Sequence, residues 1–183
     1  MFLLQMAGVS GAGKSTLARL IGQHTGAVVI DYDVVKSAAL EAGVTWDEAG
    51  RVGYGASRAV ADSVLAQGLS VVLDSPCRFR QIVDEGLAIA KARGAAYTFI
   101  ECTLLDEGLM RHRIQTRERY RSQRVAFDVP PPEAPGDPKA VANYSHETEY
   151  PESPWLRIST QQAQEQCLAL ALNYLSSRSS LTS

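Results

Sequence analysis

The residues Gly8-Val9-Ser10-Gly11-Ala12-Gly13-Lys14-Ser15, followed by Thr16, match the pattern G-x-x-x-x-G-K-[ST] without a departure. Each residue type has a task in holding polyphosphate. Around Gly8, Ser10, Gly11, Ala12 and Gly13 the backbone can turn its N–H groups inward onto phosphate oxygens, and Lys14 reaches the β- and γ-phosphates. The Ser15 hydroxyl suits Mg²⁺, and Thr16 continues into a helix whose positive end faces the same anion. The motif follows an apolar stretch suited to a strand, so an ordinary Gly-rich turn is a poor alternative. Nucleoside triphosphate binding is expected.

Acidic residues form the second constellation. An apolar run over residues 27–30 ends in Asp31-Tyr32-Asp33, and a second over 71–73 ends in Asp74. In a parallel sheet, ligands gather at the carboxyl ends of strands, which would bring these carboxylates beside the phosphate loop. One near an incoming hydroxyl can accept its proton, and one near the metal can hold its waters. Asp33 is read as the acceptor-side base, with Asp31 and Asp74 near the metal. The competing reading of Asp33 is a helix cap ahead of Val34, and the two roles are compatible.

Cations form the third. Arg111, His112, Arg113, Arg117, Arg119, Arg121 and Arg124 fall close together, and helical spacing would put Arg113, Arg117 and Arg121 on one face. A solvated charged face, with Glu118 as a partner, is the plain alternative. Lys36 and Arg78 each follow a strand-end carboxylate and are candidates for holding an acceptor. Trp46, Arg51, Tyr54 and Arg58 border the segment where an acceptor pocket would form.

The elements that would position these groups alternate along the chain. Strands are expected at residues 3–7, 27–31, 69–74, 97–102 and 155–159. Helices are expected at 14–25, 34–42, 54–67, 79–93, 105–120 and 161–176, several of them stopped by glycine. This is the pattern of an α/β protein with a parallel sheet covered by helices on both faces. Residues 122–154 are Pro-rich, and a connection of that length suggests a cover over a site. Tyr144, His146, Glu147, Glu149 and Tyr150 are candidates to line a pocket there.

Taken together, the phosphate loop, the Asp31-x-Asp33 pair, Asp74-Ser75-Pro76-Cys77-Arg78 and the arginine-bearing helix resemble the P-loop small-molecule and polynucleotide kinases. That group includes shikimate and gluconate kinases, chloramphenicol phosphotransferase-like proteins and the kinase domain of polynucleotide kinase. The resemblance implies a P-loop NTPase three-layer sandwich with a five-stranded parallel sheet in the order 2-3-1-4-5. It also implies that Arg113 and Arg117 belong to a lid over the γ-phosphate, and that Arg113 and the turn at Ser159-Thr160-Gln161 flank the adenine. A single kinase domain over residues 1–183 would then carry its lid and cover at about 111–154. Asp74-Ser75-Pro76 stands where shikimate kinases have Gly-Gly-Gly, which argues against shikimate.

Composition removes other classes. The chain of 183 residues has a formal net charge of −2, which gives no overall attraction to nucleic acid or anionic membrane. No apolar run approaches a membrane span, and its three cysteines do not form a metal or disulfide framework with the histidines. A cytoplasmic location is expected. The leading expectation is an ATP- and Mg²⁺-dependent kinase acting on a hydroxyl of a small molecule, with Lys14, Asp33, Arg113 and Arg117 catalytic. The alternatives are a polynucleotide or tRNA 5′-hydroxyl kinase, with nucleic acid held by Lys36 and the arginines, and a non-catalytic nucleotide-dependent switch. No Asn-Lys-x-Asp motif points to guanine, so ATP is preferred to GTP.

Overall fold

Strand β1 (Phe2–Ala7) has all six of its residues buried. Such burial requires cover on both faces. Its alternating side chains divide accordingly: Leu4 and Met6 enter one core, Leu3 enters another, and Ala7 a third. In the computed structural model, which describes residues 1–126, 129–134 and 148–179, β1 is the centre of a five-stranded sheet. The others are β2 (Val28–Asp31), β3 (Val71–Asp74), β4 (Ala96–Thr103) and β5 (Leu156–Ser159). All pairings are parallel, and the order is β2-β3-β1-β4-β5, as the resemblance implied.

Helices α1 (Lys14–Thr25) and α6 (Gln164–Ser179) cover one face, where Leu17, Ile21, Leu168 and Leu175 meet Leu4 and Met6. Helices α3 (Trp46–Ala66) and α4 (Arg80–Ala92) cover the other, through Ala61, Leu65 and Ala90. Each fully buried Leu, Ile or Met contributes about 1.5–3 kcal/mol through the hydrophobic effect, so the central strands resist displacement. The loops at their carboxyl ends are thereby held by a rigid base. Helix α2 (Tyr32–Glu41) leaves the end of β2, and α5 (Glu107–Thr116) follows β4.

Several helix boundaries differ from expectation. Helix α2 starts at Tyr32, because Asp31 rather than Asp33 is its N-cap and accepts a hydrogen bond from Asp33 N at 2.9 Å. Helix α3 starts at Trp46 instead of residue 54. Its start is a capping box, in which Thr45 N donates to Glu48 Oε2 and Glu48 N donates back to Thr45 Oγ1. The glycines that suggested a loop lie within this helix, and Gly53 is where it presses on Tyr32, since a Cβ there would come within 2.8 Å of the ring. Helix α5 ends at Thr116, not residue 120; Arg117 caps it with an extended ψ of 147°. Helix α6 runs three residues later than expected at its start, from Gln164.

Candidate active site

The strand register brings the acidic residues together. Asp31 and Asp74 are paired positions on β2 and β3, with Asp33 in the first turn of α2. The phosphate loop leaves β1 between β3 and β4, where Gly8 has φ +129° and a Cβ would sit 2.2 Å from the Cys102 carbonyl oxygen. No other residue fits that approach.

A cavity of about 1190 Å³ opens over these strand ends. Ser10, Gly11, Gly13, Lys14, Ser15 and Thr16 line one end of it, and Asp33, Lys36, Asp74, Arg78, Arg113 and Arg117 also contribute to its wall. Ala12 is fully buried behind the loop. Asp31 is not part of the lining: its carboxylate caps α2 and lies 3.7 Å from Arg19 Nη2. Burial, then repulsion from Asp74 and Asp33, pushes the Asp31 carboxyl up to about 6. Asp31, expected near the metal, is paired with Asp74 in the sheet and at the same time caps α2.

Lys14 Nζ donates to Val9 O at 3.0 Å, a contact within the loop that phosphate oxygens can replace. Asp74 lies beneath it, almost wholly buried. Burial raises its carboxyl above the ordinary range, against the lowering effects of Lys14 and of a hydrogen bond from Ser15. Its Oδ1 is buried without a hydrogen-bond partner. An orphaned carboxylate oxygen next to the Ser15 hydroxyl fits a hydrated divalent cation. No group of three or more His, Cys, Asp and Glu among the described residues forms a metal cage, so Ser15 and Asp74 would share the ion with phosphate oxygens.

Asp33 is held by residues that sequence reasoning did not single out. Gln123 Nε2 donates to Asp33 Oδ2 at 2.8 Å, and Ser122 Oγ lies 3.2 Å from Oδ1. Ser122 is itself anchored, its N donating to Ser37 Oγ at 2.9 Å. Ser122, Gln123 and Arg124 are all buried, with Arg124 on the cavity wall. These bonds fix the carboxylate's direction.

The arginines do not share a helical face. Because α5 stops at Thr116, Arg121 lies beyond it, where it pairs with Glu133 at 2.6 Å and donates to Leu40 O. Arg113 and Arg117 still reach the cavity, by different routes. Arg113 donates from Nη1 to Thr160 Oγ1 at 3.0 Å and from Nη2 to Thr160 O at 2.8 Å, while Thr160 Oγ1 donates to Ala12 O. Arg117 Nη2 lies 3.3 Å from Ser10 Oγ of the phosphate loop.

Away from the loop, the Lys36 ammonium sits 3.2 Å from the centroid of the Trp46 ring. Tyr32 and Tyr54 are in contact, with ring centroids 4.3 Å apart, and Tyr54 meets Phe79 edge-on. Arg51, Arg58 and Arg78 complete this end, so the sequence-named acceptor candidates come together. Of the pocket candidates in the Pro-rich segment, Tyr144, His146 and Glu147 lie outside the described residues. Glu149 and Tyr150 bind elsewhere: Glu149 N donates to Cys77 O, and Tyr150 Oη donates to Glu101 Oε1 at 2.9 Å.

A family model described as "AAA domain" matches residues 3–131, from β1 through the segment that holds Asp33. The chain belongs to the AAA domain family. Its fold is that of the P-loop kinases, as three solved structures illustrate. A putative kinase from Chloroflexus aurantiacus superposes with a TM-score of 0.72 at 15% identity, covering 94% of this chain and 97% of its own. The Mycobacterium tuberculosis APS kinase in complex with AMPPNP and APS gives 0.67 at 18% identity, covering 96% and 97%. A gluconokinase from Sinorhizobium meliloti gives 0.60 at 19% identity, covering 98% and 95%. No curated protein matches the sequence. No helix among the described residues is long and apolar enough to cross a membrane.

Proposed function

We propose that this AAA domain protein is an ATP-dependent kinase that transfers the γ-phosphate to a hydroxyl group of a small molecule. The observation that carries the reading is one cavity lined both by a phosphate loop and by a carboxylate that two side chains orient. A nucleotide switch has no need of Asp33 held by Gln123 and Ser122 opposite Lys14. The likeness to an APS kinase and a gluconokinase supports a hydroxyl acceptor.

In this mechanism the backbone of Gly8, Ser10, Gly11, Ala12 and Gly13 holds the phosphates, Thr16 extends the cradle at the start of α1, and Lys14 exchanges Val9 O for phosphate oxygen. Arg113, fastened to Thr160, flanks the nucleotide end, and Arg117 stands at Ser10, where charge on the migrating group needs cations. Ser15 and Asp74 would hold a Mg²⁺ ion, which when bound would neutralise charge on the phosphates. Asp33 accepts the acceptor hydroxyl's proton as its oxygen turns toward phosphorus. Lys36 and Arg78 hold the body of the acceptor.

The test is transfer from γ-³²P-ATP with Mg²⁺ to a panel of hydroxylated small molecules, run beside 5′-hydroxyl RNA and DNA oligonucleotides. Label on a small molecule, lost in Asp33→Asn by about 10²–10⁴-fold with ATP affinity retained, is the expected result. Label confined to oligonucleotides would make the protein a polynucleotide kinase. ATP binding without transfer to any acceptor would leave only a switch.

A further inference from the structure

The cavity has room for more than a nucleotide. Its volume of about 1190 Å³ exceeds the roughly 300–1000 Å³ typical of a pocket for one small ligand. Part of its wall is built from rings: Tyr32, Trp46, Tyr54 and Phe79 all line it. Three of them have partners within the protein. Tyr32 packs against Tyr54, and Trp46 carries the Lys36 ammonium on its face. Phe79 meets Tyr54 in a T-shaped contact with centroids 6.1 Å apart, yet remains 59% exposed.

A single exposed aromatic is ordinary on a protein surface, but the position of this one is not. Phe79 is the N-cap residue of α4, where no side chain caps the helix. Ser, Thr, Asp or Asn at that position would satisfy one of the first backbone N–H groups. Phenylalanine forgoes that contact and buries less than half of its own surface in return. The loop that delivers it is also strained. Two residues earlier stands Cys77, a non-glycine residue with φ +48°. Surrounding bonds hold it there: Gln5 Nε2 donates to Cys77 Sγ at 3.0 Å, and Glu149 N donates to Cys77 O. Tyr97 Oη in turn fixes the Gln5 amide, donating to its Oε1 at 2.8 Å. Strain held in place by surrounding bonds is a mark of a segment that aims functional groups. The groups aimed here are Arg78 and Phe79, both on the cavity wall.

From this placement we infer that the acceptor is a hydroxyl compound carrying a planar, unsaturated ring, which Phe79 receives. Offset-stacked and edge-to-face ring pairs gain more than the area they bury, a gain that a saturated ring of the same size lacks. The planar guanidinium of Arg78 suits the same ligand, since it stacks on rings as well as donating hydrogen bonds. The inference rests on the kinase reading for its acceptor, but ring binding at this wall can be measured without turnover. A nucleoside, a phenyl-bearing alcohol and the terminal base of a 5′-hydroxyl oligonucleotide share this chemistry. The small compound is favoured, because Phe79 and Asp33 line one cavity and the chain's net charge of −2 gives no overall attraction to nucleic acid.

The experiment is titration calorimetry on the full chain, with saturating AMPPNP and Mg²⁺ occupying the phosphate loop. The probes are pairs that differ in ring planarity, uridine against 5,6-dihydrouridine and 2-phenylethanol against 2-cyclohexylethanol, together with a 5′-hydroxyl tetranucleotide. At least one planar compound is expected to bind about 3–10-fold more tightly than its saturated partner, the worth of one ring pair. That preference should fall below about two-fold in Phe79→Leu, which keeps an apolar side chain, and persist in Phe79→Tyr, which keeps the ring. AMPPNP affinity and the thermal midpoint, measured on both variants, separate a lost ring contact from a damaged fold. Equal binding within both pairs, no binding of any probe, a preference that survives Phe79→Leu, or one lost equally in Phe79→Tyr overturns the inference. Binding of the tetranucleotide alone overturns its small-molecule form. A ring preference without transfer from γ-³²P-ATP to any acceptor would instead count against the kinase reading and leave this one standing.

Discussion

Asp31→Asn should make the protein more stable at neutral pH, and the gain should vanish in acid. The wild-type carboxyl is pushed from 3.8 up to about 6, first by burial and then by Asp74 and Asp33, while hydrogen bonds from Asp33 N and Val34 N oppose the shift. Between pH 4 and 6 the folded protein therefore holds a proton that the unfolded chain has released, and stability falls as pH rises through that window. At 1.36 kcal/mol per pH unit, the ceiling on this loss is about 3 kcal/mol above pH 6. Asparagine carries no charge to bury or repel and remains a good N-cap for α2. It gives up the 3.7 Å contact with Arg19, whose side chain is 56% exposed and contributes little. A net gain of about 1–2 kcal/mol is expected at pH 7.5. Urea denaturation of the nucleotide-free protein at pH 4.5, 6 and 7.5 measures it, with turnover measured alongside. A variant less stable than wild type at pH 7.5, or a difference that does not shrink toward pH 4.5, would refute the electrostatic argument. Loss of turnover at full ATP occupancy would give Asp31 a role at the metal besides its cap.

Gln123→Ala removes the 2.8 Å hydrogen bond that orients Asp33, and should lower kcat by about 10–100-fold with little change in ATP affinity, read by rapid-quench transfer and calorimetry. A wild-type kcat would show that the bond is structural only. Arg113→Lys cannot serve both Thr160 oxygens with one ammonium, so ATP should bind about 5–10-fold more weakly in calorimetry, without loss of fold by circular dichroism. Gly8→Ala places a methyl 2.2 Å from the Cys102 carbonyl at a φ that L residues avoid, and should cost more than about 3 kcal/mol in urea denaturation.

What could be read from the chain depended on how local its cause was. The phosphate loop is a contiguous backbone device, and the sheet follows from apolar runs whose length and spacing leave few topologies, so both were legible. The meeting of Asp33, Lys36 and Arg78 was legible too, since each follows a strand end. The start of α2 was not. Tyr32 is drawn into the helix by packing against α3 around Gly53, a contact between segments distant in sequence, and this makes Asp31 the cap. The end of α5 carries no glycine or proline signal, and its helical periodicity continues on paper through Arg121. Ser122 and Gln123 lie about ninety residues from Asp33, without motif or period, and only folding brings them to it. The Thr45-x-x-Glu48 box was a local signal open to reading, obscured by the glycines downstream of it.

The chain linking α5 to β5 is moored at two places. Ser122 and Gln123 fasten its near side to α2, and on the far side Thr148, Tyr150 and Arg157 converge on Glu101 of β4, with Trp155 stacked on Tyr150. Because one mooring is made to α2 and the other to the sheet, the stretch between them can be exchanged or resized while its endpoints stay put. Loop-closure entropy rises by only about 0.6 kcal/mol for each doubling of length. The architecture thus separates two kinds of evolutionary change: the phosphate loop tolerates almost none, since Gly8 touches backbone, whereas the sequence between the moorings is a cassette whose length a lineage, or a designer, can change without rebuilding the sheet.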